Sequence, residues 1–193
     1  SSIEPNLCTD EIINFVADSS RFMPHFHMPL QSGSNLILRS MQRRYKKEIY
    51  SARVEHIKNR MPYACIGVDV IVGFPGETDA AFQETYDFLH QLEVSYFHVF
   101  TYSERPNTAA VKIPGTVPMH IRRERNEILR TLSEKKKHHF YREHLNTTRQ
   151  VLVEHDGDAD HWAGFTDNYI RVQVPKSMAK PNELVSVCLS SFN

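Results

Sequence analysis

Cysteine is scarce in this 193-residue chain, with three residues, Cys8, Cys65 and Cys188, separated by 57 and 123 positions. No C-x-x-C or C-x-x-x-C spacing occurs, which excludes a disulfide scaffold and a local thiolate nest for zinc or an iron–sulfur cluster. Glycine is also scarce, at seven, and tryptophan occurs once. The glycine-rich nucleotide fingerprints G-x-G-x-x-G and G-x-x-x-x-G-K-[ST] are absent, as is H-E-x-x-H. No apolar run approaches the ~18 residues of a membrane span, and no basic-then-apolar signal segment opens the chain. These features point to a cytoplasmic protein with no membrane partner. Neither sign of charge is in excess: 23 Lys and Arg face 23 Asp and Glu. With 40% hydrophobic and 24% charged residues, disorder is excluded and a packed core is within reach.

What is present is unevenly placed. Residues 36–60 carry eight bases and two acids, residues 120–149 nine and four, and residues 150–193 three and six. The two basic blocks can track a phosphate backbone or form solvated helix faces. The first residue is Ser, and Ile3-Glu4-Pro5 reads like a strand end, so a piece of a longer protein is expected.

The pattern predicts a helix after Thr9, with Asp10 and Glu11 favouring its positive end, then a strand over His25–Leu30. Ser34 caps a short helix carrying Leu36, Ile37, Leu38 and Met41. Another runs from about Lys47 to Arg60 with Ile49, Ala52, Val54 and Ile57 inward. Cys65–Gly73 is a β-branched run of the kind buried on both faces of a parallel sheet. Thr78 caps a helix whose Phe82, Thr85, Tyr86 and Leu89 share one face. Ser95–Tyr102 is a strand, and a long charged helix covers roughly His120–Leu145. This alternation gives an α/β architecture, a parallel sheet or part of a parallel (β/α) barrel, over residues 1–146. Short strands at Arg149–Glu154, Trp162–Phe165, Tyr169–Val174 and Leu184–Leu189 predict a small all-β, OB-like barrel over residues 147–193. The edge of the first strand is expected to be exposed, which makes a homodimer a possible partnership.

Ligands meet such sheets at the C-terminal strand ends, here Gln31–Ser34, Phe74–Thr78 and Ser103–Thr108. Asp69, inside an apolar strand, needs a partner or a shifted pKa. Glu77, beside Gly73 and Gly76, is either a ligand-facing acid or a helix-start acid. His25 and His27 share a strand face as a packed pair or as ligand-facing groups. Asp156–Asp160 fails as a calcium loop, because His161 stands where glycine is needed and Asp167 where glutamate is needed. Trp162, Phe165 and Tyr169, with Arg171, either stack bases or fill the barrel core.

Four segments resemble a known family. They are His27-Met-Pro-Leu-Gln-Ser-Gly-Ser34, Asp69-Val-Ile-Val-Gly-Phe-Pro-Gly-Glu-Thr78, Thr101-Tyr-Ser-Glu-Arg-Pro-Asn-Thr108 and Gly164-Phe-Thr-Asp-Asn-Tyr-Ile-Arg-Val172. The first three resemble strand ends of the radical SAM methylthiotransferases, and the fourth resembles their C-terminal TRAM domain. The wording is closest to the branch that acts on tRNA threonylcarbamoyladenosine. The resemblance implies the second half of a radical SAM barrel plus TRAM, and a parent enzyme that methylthiolates C2 of an adenosine in a tRNA anticodon loop. S-adenosyl-L-methionine and two [4Fe–4S] clusters are implied for that parent. The cluster cysteines are not in this chain, so the chain alone is expected to be inactive and to need a missing N-terminal domain. Gln31, Ser32, Asp69, Gly73, Phe74, Gly76, Glu77, Tyr102 and Ser103 are implied around the cofactor. Arg43, Arg44, Arg105, Trp162, Phe165, Tyr169 and Arg171 are implied at the tRNA anticodon stem-loop. Asn107 stands where the family often has Gly, and Asn tolerates positive φ. Isopentenyladenosine or a ribosomal-protein aspartate as the target, a non-enzymatic RNA-binding module, and an unrelated aldolase-type barrel are the alternatives.

Overall fold

The computed structural model describes residues 2–191; Ser1, Phe192 and Asn193 lie outside the described residues. The elements follow in the order α1 (Asp10–Asp18), β1 (His25–Gln31), α2 (Asn35–Ser40), α3 (Lys47–Arg60), β2 (Cys65–Val72), α4 (Asp79–Gln91), β3 (Tyr96–Thr101), a 3₁₀ turn (Ala109–Lys112) and α5 (Met119–Glu143). Four strands complete the chain: β4 (Thr148–Gly157), β5 (His161–Thr166), β6 (Arg171–Pro175) and β7 (Leu184–Cys188).

β1, β2 and β3 form a parallel sheet in that order. The helical face of this sheet carries Phe26, Met28 and Leu30, then Ile66, Val68, Val70 and Val72, then Phe97 and Val99. Tyr50, Val54 and Ile57 of α3, Phe82 and Leu89 of α4, and Leu129 and Leu132 of α5 pack onto it. The expected stripe on α3 is displaced: Ile49 and Ala52 face solvent, and Tyr50 goes inward. The Tyr50 hydroxyl can reach the Met28 carbonyl at 2.9 Å, so a large ring is buried with its polar tip satisfied. α1 and α3 are joined by ion pairs, Asp10 with Arg53 and Asp18 with Arg60, and Asn14 Oδ1 accepts from His56 Nε2 at 3.2 Å.

β2 is not covered on both faces. On its second face Cys65 and Gly67 are buried, but Asp69 and Ile71, towards the C-terminal end, are only half-buried. Register places His27, Gly67 and Tyr96 in one row, and Pro29, Asp69 and His98 in the next.

Both edges of the sheet are occupied from within the chain. On β1, Ile3 N–H donates to the His27 carbonyl at 3.0 Å, and Pro29 has no donor to offer. On β3, the Ser133 hydroxyl accepts from Phe97 N–H and donates to its carbonyl, both at 2.8 Å. The Asn126 amide donates to the Val99 carbonyl at 3.1 Å. The expected exposed edge on the first strand is narrowed, because the His27 carbonyl is taken by Ile3 and Pro29 has no donor.

The second sheet is antiparallel, in the order β6-β5-β4-β7. Among the described residues no pairing joins β6 to β7, so it is a curled open sheet rather than a closed barrel. Its own core is small: Val151, Val153, Val174 and Ala179. A second cluster, Phe140, Ile170 and Leu189 with Cys65, binds it to α5 and to the start of β2. No helix among the described residues is long and apolar enough to cross a membrane.

Candidate functional site

The three loops at the C-terminal strand ends meet in one rim. β1 ends at Gln31, which is buried with φ of 70°, at a point where the pairing register shifts. Such φ values strain a non-glycine residue and need surrounding structure to hold them. Ser32 then closes the turn: its hydroxyl lies 3.2 Å from Thr85 Oγ1 and accepts from Ser34 N–H at 3.1 Å.

In the second loop Gly73 has φ of 76°, and a Cβ there would meet the Arg122 side chain at 2.3 Å. Its N–H donates to Glu77 Oε1 at 2.8 Å. Arg125 donates to the same oxygen at 2.7 Å and to Asp79 at 2.6 Å. The Glu77 side chain is only 1% exposed, and burial raises its carboxyl pKa against the opposing pull of the Gly73 amide and Arg125. Its charge therefore acts inside the loop. Gly76, at φ of 85°, donates its N–H to the Gly115 carbonyl at 2.8 Å. A Cβ at Gly76 would meet nothing closer than 3.9 Å, so backbone is open to a neighbour there.

The third loop brings Tyr102 against Phe74, with ring centroids 5.3 Å apart. Phe74 is buried with Ile37 and Ala81. Arg122 donates to the Tyr102 carbonyl at 2.8 Å and to Glu104 at 2.5 Å. The Tyr102 hydroxyl is buried and has no hydrogen-bond partner. Burying a hydroxyl unpaired costs about 1–3 kcal/mol, so this atom calls for a partner that none of the described residues supplies. Ser103 and Arg105 are exposed beside it.

Asp69 lies four residues before the rim, on the open sheet face. Its Oδ1 is 3.1 Å from His27 Nε2, and His27 Nδ1 is 2.6 Å from the Ser2 hydroxyl. His25 Nε2 is 3.3 Å from the Tyr96 hydroxyl. Burial, and next the neighbouring His27, lower the His25 pKa to about 4, so its ring is neutral near pH 7. The Tyr96 ring fits because Gly67 has no side chain: a Cβ there would lie 2.5 Å from the phenol oxygen.

The residues implied for RNA do not converge. Arg43 is bound to Glu4 at 3.2 Å, while Arg44 is exposed. Tyr169, at φ of 66°, has Phe165 and His25 stacked near-parallel to it, with centroids 4.7 and 4.0 Å away. Its ring ties the second sheet to the start of β1. Trp162 lies 4.2 Å from the Lys176 ammonium, and Arg171 pairs with Asp156 at 2.9 Å. Half of the eight bases in the block 36–60 are paired within the chain: Arg43, Lys47, Arg53 and Arg60 all have acidic partners. Sequence reasoning missed Arg122, Arg125, Ser133 and Asn126. They stand in a helix whose charge density hides which residues turn inward.

Comparison with known proteins agrees with this architecture. Residues 2–89 match the family model described as the radical SAM superfamily. Coproporphyrinogen III oxidase HemN from Escherichia coli, a radical SAM enzyme, superposes with a TM-score of 0.59 at 16% identity, over 70% of this chain and 31% of that one. The half-sheet with its loop rim is thus a radical SAM fold. The threonylcarbamoyladenosine tRNA methylthiotransferase MtaB of Aquifex aeolicus is 40% identical over 163 residues, 84% of this chain and 38% of that protein. The MtaB of Bacillus subtilis is 36% identical over 176 residues, covering 89% and 39%. The tRNA-2-methylthio-N(6)-dimethylallyladenosine synthase of Corynebacterium jeikeium is 38% identical over 157 residues, covering 81% and 31%. The chain belongs to the radical SAM methylthiotransferase family, and it spans under two-fifths of the length of these relatives.

Proposed function

We propose that the chain serves a tRNA-modifying transferase that places a methylthio group on C2 of N6-threonylcarbamoyladenosine in an anticodon loop. The observation that carries this reading is the rim, where three strand-end loops meet around a buried, unpartnered Tyr102 hydroxyl and the open backbone at Gly76. These features fit S-adenosyl-L-methionine, which has a flat base, hydroxyls and a charged amino-acid end. Gln31, Phe74, Gly76, Tyr102 and Ser103 hold it in this reading. Ser32, Gly73 and Glu77 shape the turns, and Asp69 faces the same interior further down the strand. When bound, the cofactor supplies the 5′-deoxyadenosyl group that removes hydrogen from an unactivated carbon. The chain's own residues bind, orient and shield.

The same residues do not fit an iron–sulfur cluster. Among the described residues no group of three His, Cys, Asp or Glu side chains can hold a metal, and Cys8 and Cys65 are buried thiols. Cluster ligation is assigned to another domain of the parent enzyme, and the chain alone is inactive. The second sheet is the TRAM-like unit, residues 147–193, and in this reading it meets tRNA apart from Arg44 and Arg105, which contact the same substrate from the first sheet's loops. The place of action is the cytoplasm.

Calorimetric titration with S-adenosyl-L-methionine tests the rim. Tyr102→Phe should weaken binding several-fold, as one lost hydrogen bond does; equal binding by both proteins overturns the assignment. The similarity to dimethylallyladenosine synthases supports a second substrate reading. Stem-loops carrying either modified adenosine, offered to the full-length enzyme, separate the two by which one gains mass.

A further inference from the structure

Between the occupied edge of β3 and α5 lies a cleft of about 310 Å³, outside the rim. His98 and Phe100 floor it, and Arg130, Ser133 and Glu134 line its other side. Phe100 is 52% exposed, more than a large apolar ring on a sheet face gains from being. His98 is exposed next to it in the same face. Arg130 is exposed and has no acidic partner within ion-pair distance among the described residues, whereas Glu134 is paired with Lys137 at 3.7 Å. The cleft therefore offers flat rings, the Arg130 cation and a Glu134 carboxylate drawn to Lys137.

A strand-adding peptide does not suit it, because Ser133 and Asn126 already hold the Phe97 and Val99 backbone groups. A group recognised by ring stacking and one negative charge does. The volume sits at the small end of ligand pockets, the scale of one base.

We propose that this cleft holds a single unpaired nucleotide of the RNA substrate, its base on Phe100 and His98 and its phosphate on Arg130. The inference rests on the tRNA reading and deepens it: the partner is single-stranded, since a paired base has no free face to offer. Phe100 and His98 lie on the same open sheet face as Asp69. A nucleotide held there flanks whatever base reaches the rim.

The test measures binding of an RNA stem-loop to the 193-residue chain at several salt concentrations. Phe100→Ala should raise Kd roughly tenfold, and Phe100→Tyr should restore it. Arg130→Gln should reduce the magnitude of the slope of log K against log salt by about 0.7. Both side chains are exposed, so thermal midpoints should not move, which separates lost contact from lost fold. If the stem-loop binds and neither variant changes it, the cleft assignment is wrong and the tRNA reading stands. Should the unaltered chain bind the loop no better than a duplex of equal charge, the RNA reading itself fails and this inference with it. Loss of acidic-peptide binding in Phe100→Ala, with RNA binding unchanged, also overturns it.

Discussion

The two sheets of this molecule hold themselves together differently. The parallel sheet buries a core of more than twenty residues drawn from three strands, four helices and the loops between them, with β1, β2 and β3 shielded on one face. The antiparallel sheet has four core residues of its own and borrows the rest from Phe140, Tyr141, Cys65 and Tyr96. It also leans on polar docking: the Asn168 amide donates to the Tyr63 carbonyl at 3.0 Å, and Tyr169 stacks on His25. Small sheets bury too little apolar surface to be stable alone. The lesson is that the second unit takes its stability, and hence its orientation, from the first.

The largest expected effect is within the parallel unit. Arg125→Met removes the cation from the buried Glu77 carboxylate and should cost about 3–5 kcal/mol in urea unfolding. Burial already raises the Glu77 pKa, and losing Arg125 raises it further. A folded pKa above the unfolded value means stability falls as pH rises from about 4.5 through the folded pKa. The deficit should therefore widen between pH 5 and pH 8. An equal deficit at both would show that Glu77 stays neutral or finds another partner.

Next is the seam between the units. Phe140→Ala removes a ring that is 5% exposed and should cost about 3–5 kcal/mol. The single tryptophan, Trp162, lies in β5 and reports the second unit, while the helices dominate far-UV circular dichroism. In Phe140→Ala the Trp162 transition should move below the helical one. Coincident transitions would break the comparison and make the chain one cooperative unit. Smaller still, Thr78→Ala should cost about 1 kcal/mol, because Thr78 Oγ1 accepts from Ala81 N–H at the start of α4. Only the helical transition should shift.

Periodicity made the elements of the parallel unit legible, since β-branched runs and i, i+3, i+4 stripes leave strong local marks. The α3 stripe misled because Tyr50 has a carbonyl to bond and Ile49 has none of its burial. The open face of β2 was half-visible: Asp69 signalled a polar partner, but His27 lies 42 residues away and only register joins them. The rim loops were legible as loops. Which of their side chains turn inward was not, because Glu77 and Ser32 find partners on α5 and α4, far along the chain. The second sheet's strands were readable from turn residues and alternation, whereas its openness depends on one missing pairing that no local pattern marks.

The smallest effect concerns His25, and it tests the docking directly. Its folded pKa is lowered to about 4 from 6.5, so the unfolded chain binds the proton more readily between those values. Stability from this group is complete above pH 6.5 and is lost as pH falls through 6.5 towards 4. The groups around the ring, Tyr96, Tyr169 and His27, offer no carboxylate to rescue a charged imidazole. His25→Phe keeps a ring against Tyr169 and removes the titration. Between pH 7 and pH 5 the Trp162 melting midpoint of the unaltered chain should therefore fall by a few degrees more than that of His25→Phe. Equal falls would mean that the Tyr169 stack does not depend on a neutral His25. The docking of the second unit would then rest on contacts indifferent to that charge, among them the Phe140 cluster, the Asn168–Tyr63 bond and the Arg171 N–H to the Tyr141 hydroxyl.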